Sequence, residues 1–139
     1  MKLRYMLDTN QVSYIVNGSS VAARVRLEQL HPNEIACISA VTEGELLYGL
    51  AKKPHASRLR TSLEGFLAGI EVLPWDRAEA AVYGLLRARQ EVTGKMLEPM
   101  DMLIAAHAIT SGSILVSRDK AFQQVSFLPG LANWATDLS

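Results

Sequence analysis

The sequence predicts an α/β fold in which helices flank a central, mostly parallel sheet of four to five strands, forming three layers. Short apolar segments alternate with longer helical segments, in the order strand, helix, helix, three times before a fourth strand. Parallel strands need crossovers of this length, and such crossovers are right-handed. The length of 139 residues suits one domain, so we expect residues 1–139 to form a single unit.

The predicted strands are short apolar runs bounded by polar or turn-forming residues. They cover residues 4–7, 35–38, 70–73 and 114–116, and a fifth strand is expected near residue 131. Runs this short carry no clear periodicity, so their position between turn signals decides the assignment.

Capping residues and helix breakers delimit the predicted helices. Thr9 or Asn10 is expected to cap the first helix, and Ser39 the third. Asp76 and Glu79 have the spacing of a capping box at the start of the fifth. The predicted helices cover about residues 10–17, 21–30, 40–52, 56–68, 77–93 and 100–110, and a short helix follows residue 120.

Composition excludes several classes of protein. Hydrophobic residues make up 49% and charged residues 20%, which is typical of globular proteins and not of disordered chains. Lys and Arg number 14, as do Asp and Glu, so net charge gives no argument for nucleic-acid binding, although a local basic strip could serve. The single cysteine, Cys37, excludes a disulfide framework and is expected to be a buried thiol.

The sequence is expected to carry neither a membrane-spanning segment nor a signal peptide. The longest apolar stretches fall well short of the roughly 20 residues that span a membrane. The carboxylate of Asp8 comes too early for a signal peptide. We therefore expect a cytoplasmic protein with no membrane partner.

Four acidic residues are predicted to meet at the carboxyl edge of the sheet, where open α/β sheets hold their sites. Asp8 follows the first strand and Asp119 the fourth, Glu45 lies in the helix after the second strand, and Asp101 begins the helix before the fourth. Each acid alone could be a cap or a solvated residue, but Asp101 begins a very apolar helix, where a carboxylate needs a partner. Only the combination is informative.

Converging carboxylates raise one another's pKa unless a cation lies between them. Hard oxygen ligands favour Mg²⁺ or Mn²⁺ over zinc, and phosphodiester hydrolysis is the chemistry that most often uses such a cluster. Glu43 and Glu45 compete for one place in it, because two helical positions differ by roughly 200°. The pattern alone leaves that choice open.

Segments along almost the whole chain resemble PIN-domain ribonucleases, and among them the VapC-type toxins of bacterial type II toxin–antitoxin pairs. They are MLDTN (6–10), ISAVTEGELLYG (38–49), VLPWD (72–76), DMLIAAHA (101–108), LVSRDKAF (115–122) and the closing LPGL…W (128–134). Each motif is weak alone, but their order and spacing together are specific.

The resemblance implies catalytic and metal-binding roles for four acids: Asp8, Glu45, Asp101 and Asp119. It favours Glu45 over Glu43, and it implies supporting roles near substrate or metal for Thr9, Asn10 and Ser117. Arg118 stands where many relatives have Asn, which alters the hydrogen bonding expected around Asp119.

A cofactor and partners also follow from the resemblance. It implies Mg²⁺, with Mn²⁺ as a substitute, an RNA substrate, a cognate VapB-type antitoxin and a homodimer. The chain would then be a metal-dependent endoribonuclease that hydrolyses phosphodiester bonds with an activated water. The alternatives are a catalytically silent PIN-fold binding module and a receiver-like or phosphatase domain, although Asn10 lacks the second carboxylate that these last two need.

Other features have simpler interpretations. His107 is expected to be a packed histidine, and Trp75 and Trp134 are expected to pack at strand ends. The helices at 40–52 and 56–68 carry enough apolar surface to predict association. A basic run could contact phosphates or an antitoxin, and it consists of Lys52, Lys53, His55, Arg58 and Arg60, with Arg87, Arg89 and Lys95 as a possible extension.

Overall fold

The computed structural model describes residues 2–135 and has the predicted α/β architecture. Its elements are β1 (Leu3–Leu7), α1 (Thr9–Val16), α2 (Val21–Glu28), β2 (Glu34–Ser39), α3 (Ala40–Ala51), α4 (Ser57–Gly69), β3 (Glu71–Leu73), α5 (Arg77–Thr93), α6 (Pro99–Ser111), β4 (Ile114–Val116), a short 3-10 helix (Lys120–Gln124) and β5 (Leu131–Ala132). Every predicted element is present, and its ends lie within two residues of the prediction.

The five described strands form one sheet in the order β3-β2-β1-β4-β5, and all four neighbouring pairs are parallel. The chain leaves the central β1 towards β2 and β3, then returns to pair β4 on the other side. Leu7 and Val116, the last residues of β1 and β4, lie opposite each other. Because the strand order reverses here, a crevice forms at the carboxyl ends of β1 and β4.

Side chains alternate between the two faces of the sheet and form two cores. Met6, Cys37 and Leu115 face the core covered by α5 and α6. Leu7, Ile38 and Val116 face the opposite core, which α1 to α4 cover. The thiol of Cys37 is buried as predicted. Within residues 2–135, no helix is both long enough and apolar enough to cross a bilayer.

The prediction for the N-cap of α1 is wrong. Asp8 occupies that position, and its Oδ1 accepts a hydrogen bond from the backbone N–H of Gln11 at 2.9 Å. Thr9 and Asn10 lie inside the helix, because β1 ends one residue before the cap and leaves no loop. The caps predicted at Ser39 and Asp76 are both confirmed.

A partly buried ion pair holds α2 against the sheet. The guanidinium of Arg26 donates two hydrogen bonds to the carboxylate of Glu34, at 3.1 and 2.8 Å. The same guanidinium lies 5.3 Å from the ring of Tyr5 and 5.0 Å from that of Trp134. The Arg26 bonds and the backbone N–H of His31 lower the pKa of Glu34 to about 2.

We expect Glu34→Gln to lower the free energy of unfolding by about 1–3 kcal/mol at pH 7, because the substitution removes charge-assisted hydrogen bonds at a largely buried site. The depressed pKa means that this stabilisation is present above the unfolded-state pKa of a Glu and is lost as the pH falls towards 2. Urea unfolding at pH 7 and pH 3 should therefore show a smaller difference between wild type and variant at the lower pH.

Glu28→Gln is the matched control. Glu28 also pairs with an arginine of α2, Arg24, but at 3.9 Å and with both side chains exposed. Its loss should cost about 0.5 kcal/mol or less. Equal losses for the two variants would contradict the role given to Glu34.

Candidate active site

The crevice at the carboxyl ends of β1 and β4 collects the four predicted acids. Asp8 directly follows β1, and Asp119 lies three residues after β4. Glu45 lies on α3, the helix that leaves β2, and Asp101 lies in the first turn of α6. Each of these carboxylates acts electrostatically on at least one of the others, so topology brings the four into one neighbourhood.

Asp8 lies at the bottom of this crevice and is only 4% exposed. Burial raises the pKa of its carboxyl, while the Ser117 hydroxyl and the Gln11 N–H oppose this by hydrogen bonding to it. The charges of Asp119 and Glu45 raise the pKa further. The hydrogen bonds to Asp8 therefore stabilise its ionised form, which burial and the neighbouring negative charges disfavour.

Asp101 is half-buried, and its pKa is raised to about 6. Burial is the largest cause, followed by the charges of Asp119, Asp8 and Glu45, and then by Glu98. Glu98 is the N-cap residue of α6 and was not among the acids that the sequence singled out. In the sequence, only its position directly before Pro99, which begins α6, indicated that Glu98 lies near Asp101.

The geometry favours Glu45 over Glu43. The hydroxyl of Thr9, in the first turn of α1, donates a 2.6 Å hydrogen bond to Oε1 of Glu45. Glu45 also raises the pKa of both Asp8 and Asp101. Within residues 2–135, Glu43 makes no hydrogen bond or ion pair with any of these groups. This hydrogen bond joins α1 to α3 and holds the Glu45 carboxylate beside the residue that follows Asp8.

The loop after β4 places Asp119 at the rim. The buried Ser117 accepts a hydrogen bond from the backbone N–H of Asp119 at 3.0 Å, and Asp119 in turn caps the 3-10 helix. Arg118 turns away from this network, and its guanidinium lies 5.3 Å from the ring of Tyr14.

Asn10 is exposed on α1. The roles predicted for Asn10 and Ser117 stay predictions.

The four acids are neighbours and not a closed ligand shell. Among residues 2–135, no three Asp, Glu, His or Cys side chains lie close enough together to hold a metal ion as they stand. The donor chemistry nevertheless suits a hard divalent cation, since every group is a carboxylate and the pKa values of Asp8 and Asp101 are raised partly by neighbouring negative charge. Metal binding by these residues stays a prediction.

A groove of about 510 Å³ connects one of the acids, Glu45, with part of the basic run. It extends from Thr9 and Glu45 along α3 to Lys52 and Lys53. The predicted extension, consisting of Arg87, Arg89 and Lys95, does not line this groove. Arg87 instead pairs with Glu91, and Arg89 lies over Phe127.

The apolar surface is only partly where the sequence predicted it. Tyr48 on α3 is 64% exposed, but the large apolar side chains of α4 pack into the core. The most exposed apolar side chains are Leu85 and Val92 on α5, at 76% and 88%, which the prediction missed.

The aromatic residues and His107 pack as expected. The indole N–H of Trp75 donates to the carbonyl of Leu103 at 3.0 Å, and Trp134 and His107 are both buried.

Comparison with known proteins identifies relatives of the whole chain. Residues 5–128 match the family model of the PIN domain. The chain is 35% identical to the tRNA(fMet)-specific endonuclease VapC of Shigella flexneri over 91% of this chain and 95% of the relative. It is also 35% identical to the ribonuclease VapC2 of Haemophilus influenzae, over 95% of this chain and 98% of the relative.

Solved structures of VapBC complexes contain chains with the same fold. The fold matches a chain in the crystal structure of VapBC2 from Rickettsia felis bound to a promoter DNA fragment, with a TM-score of 0.88 and 32% identity over 95% of this chain and 99% of that one. It matches a chain of DNA-bound VapBC from Salmonella typhimurium with a TM-score of 0.85 and 30% identity, over 95% of this chain and 98% of that one.

We expect Asp101→Asn to raise the melting temperature by a few degrees at pH 7.5 in the presence of a chelator. The substitution removes one charge from a half-buried group that four other carboxylates repel, those of Asp119, Asp8, Glu45 and Glu98. Differential scanning calorimetry should show the rise, and Glu64→Gln, an exposed acid of α4, should show none. A melting temperature for Asp101→Asn equal to or below that of the wild type would contradict the repulsion.

Proposed function

The chain belongs to the PIN domain family and, within it, to the VapC ribonucleases, and from that premise we propose that its acidic crevice cleaves RNA with a divalent metal ion. The protein is an endoribonuclease of the toxin–antitoxin class. The metal dependence, the four site residues and the partners are the parts that we propose.

The observation that supports the site most strongly is the electrostatic neighbourhood of four carboxylates from four different segments. A fold that places buried or half-buried acids together gives up stability, because each ionised group is repelled by the others. Such an arrangement is typical of functional sites, where like charges are held together for chemistry.

Asp8, Glu45, Asp101 and Asp119 would hold the ion, with Mg²⁺ as the natural cofactor and Mn²⁺ as a substitute. A bound ion would supply a more acidic water and charge neutralisation at the phosphate. The chain itself orients the acids: Thr9 binds Oε1 of Glu45, and the Gln11 N–H binds Oδ1 of Asp8.

The groove beside the acids supplies a path for RNA. Lys52 and Lys53 lie at its far end, where their ammonium groups could bind backbone phosphates whatever the base sequence. Because a relative carries the name tRNA(fMet)-specific endonuclease, tRNA(fMet) is the first RNA to assay with this protein.

The partner that we propose is a VapB-type antitoxin, since the similar solved structures are VapBC complexes. A basic side chain of such a partner would gain from the same negative potential as a metal ion and would compete with it. The homodimer and the cytoplasmic location stay predictions.

We expect Asp8→Asn and Glu45→Gln each to lower kcat on RNA by at least about a hundredfold in Mg²⁺, because each removes a charge that would hold the ion. Glu43→Gln is the matched control on the same helix, and it should stay within about twofold of the wild type. Cleavage is measured on tRNA(fMet) and on total RNA with purified protein, and circular dichroism checks that each variant is folded.

Three results would count against these proposals. Wild-type rates for Asp8→Asn or Glu45→Gln would remove that residue from the site. Equal losses for Glu43→Gln and Glu45→Gln would show that the assay responds to damage to α3 and not to the crevice. Full cleavage by the wild type after exhaustive chelation would contradict the metal dependence.

In cells, we expect induced expression of the chain to arrest growth, and co-expression of its cognate antitoxin to restore it. The Asp8→Asn variant should allow growth without an antitoxin, since the arrest depends on RNA cleavage. Colony counts after induction measure this, with immunoblots to show equal protein levels. Arrest by Asp8→Asn at wild-type levels would separate the toxicity from the proposed chemistry.

A further inference from the structure

A buried polar contact links the two helices that carry Glu45 and Asp101. Nδ1 of His107 on α6 lies 2.7 Å from Oγ of Ser39, the last residue of β2. Both residues are buried, Ser39 completely. The contact joins segments 68 residues apart in the chain and lies within the apolar packing around α6.

Ser39 uses its hydroxyl twice. Its Oγ accepts a hydrogen bond from the backbone N–H of Val41 at 3.1 Å and so caps α3. The hydroxyl proton is then free to be donated to Nδ1 of His107, which requires the imidazole to be neutral with its own proton on Nε2. Burial lowers the pKa of His107, which favours that neutral form.

His107 is also close enough to Glu79 of α5 for the Glu79 charge to oppose the burial effect on its pKa. Glu79 is itself buried and accepts a hydrogen bond from the N–H of Asp76. Burial and the bond to Ser39 together leave the imidazole little freedom to move.

Each residue of this contact is six positions along the chain from one of the acids. Glu45 lies six residues after Ser39 on α3, and Asp101 lies six residues before His107 on α6. Six residues of helix correspond to about 9 Å along the axis, so each acid is joined to the contact by a rigid segment. A change at the contact is therefore transmitted to both acids.

We propose that His107 is a positioning residue, which through its hydrogen bond to Ser39 sets the placement of Asp101 relative to Glu45. The proposal rests on the proposed function, because it concerns the two acids assigned there to the metal site. Removal of the imidazole leaves the Ser39 hydroxyl without its buried partner and lets α6 shift against α3. Displacements on the order of 1 Å in a catalytic site can cost about a hundredfold in rate.

The test compares variants that remove the contact with one that keeps it. His107→Leu removes the acceptor, and Ser39→Ala removes the donor. His107→Asn keeps a polar atom near the position of Nδ1. Ser20→Ala is the matched control, since the Ser20 hydroxyl caps α2 by the same kind of bond, to the N–H of Ala23 at 3.1 Å, far from the site.

Two measurements separate positioning from general stability. The first is kcat and KM on RNA, and the second is the Kd for Mn²⁺ alone by calorimetry. We expect His107→Leu and Ser39→Ala to lower kcat about ten- to a hundredfold with KM nearly unchanged, and to weaken Mn²⁺ binding about tenfold. His107→Asn should recover kcat to within about threefold, and Ser20→Ala should leave both values unchanged whatever its melting temperature.

The double variant Ser39→Ala/His107→Leu should be no worse than the poorer single variant, because one contact is lost in all three. Wild-type kcat and Mn²⁺ affinity in His107→Leu would overturn the proposal, as would losses in Ser20→Ala as large as those in Ser39→Ala. Should His107→Leu fail to fold, His107→Asn against Ser39→Ala decides in the same way. Wild-type protein that neither cleaves RNA nor binds Mn²⁺ would instead overturn the proposed function, and this proposal with it.

Discussion

Repulsion among four carboxylates at one edge of the sheet is the constraint on which the rest of the structure depends. Asp8 is buried and Asp101 half-buried, and the pKa of each is raised by the others. Hydrogen-bond donors of the surrounding fold bind two of these acids. The Gln11 N–H, at the start of α1, and the Ser117 hydroxyl bind Asp8, and the Thr9 hydroxyl binds Glu45. These donors hold the acids in place but do not neutralise them, so the electrostatic potential in the crevice stays negative.

Strand order explains why the acids meet where they do. In the order β3-β2-β1-β4-β5, the connections from β1 and β4 leave in opposite directions, and the crevice between their carboxyl ends is open to solvent and ligand. Asp8 and Asp119 come from the two strands at this reversal, while α3 and α6 each bring a further acid to it. No single segment contains the site, and its assembly depends on the sheet being formed.

The sequence was informative wherever a local rule governs structure. Ser39, Asp76 and the glycines after α5 and α6 predicted helix ends because capping and left-handed conformations are decided by neighbouring residues. The edge position of the four acids could also be predicted, since it follows from strand order and crossover length. The N-cap of α1 was assigned to Thr9 or Asn10 and not to Asp8 because three residues with good capping side chains follow β1 in succession.

Contacts between distant segments could not be predicted in this way. The choice between Glu43 and Glu45 depends on how α3 rotates against α1, which the Thr9 hydrogen bond reveals and helical periodicity does not. The bond between Ser39 and His107 joins two buried residues whose types are compatible with ordinary packing. The exposure of Leu85 and Val92 likewise depends on which face of α5 the core leaves uncovered.

The same electrostatics link catalysis, inhibition and stability. A crevice that is costly to keep charged gains free energy from any cation that enters it, whether a metal ion or a basic side chain. In the proposed function, affinity for a metal ion and inhibition by a basic side chain would both depend on this repulsion, and a substitution that relieves the repulsion would weaken both. The partly buried Arg26–Glu34 pair, at the amino end of β2, shows the opposite arrangement, in which opposite charges are matched and stabilise the fold. If the four acids bind and release a cation as we propose, they cannot be matched with opposite charges in that way, and contacts elsewhere must keep the chain folded around them.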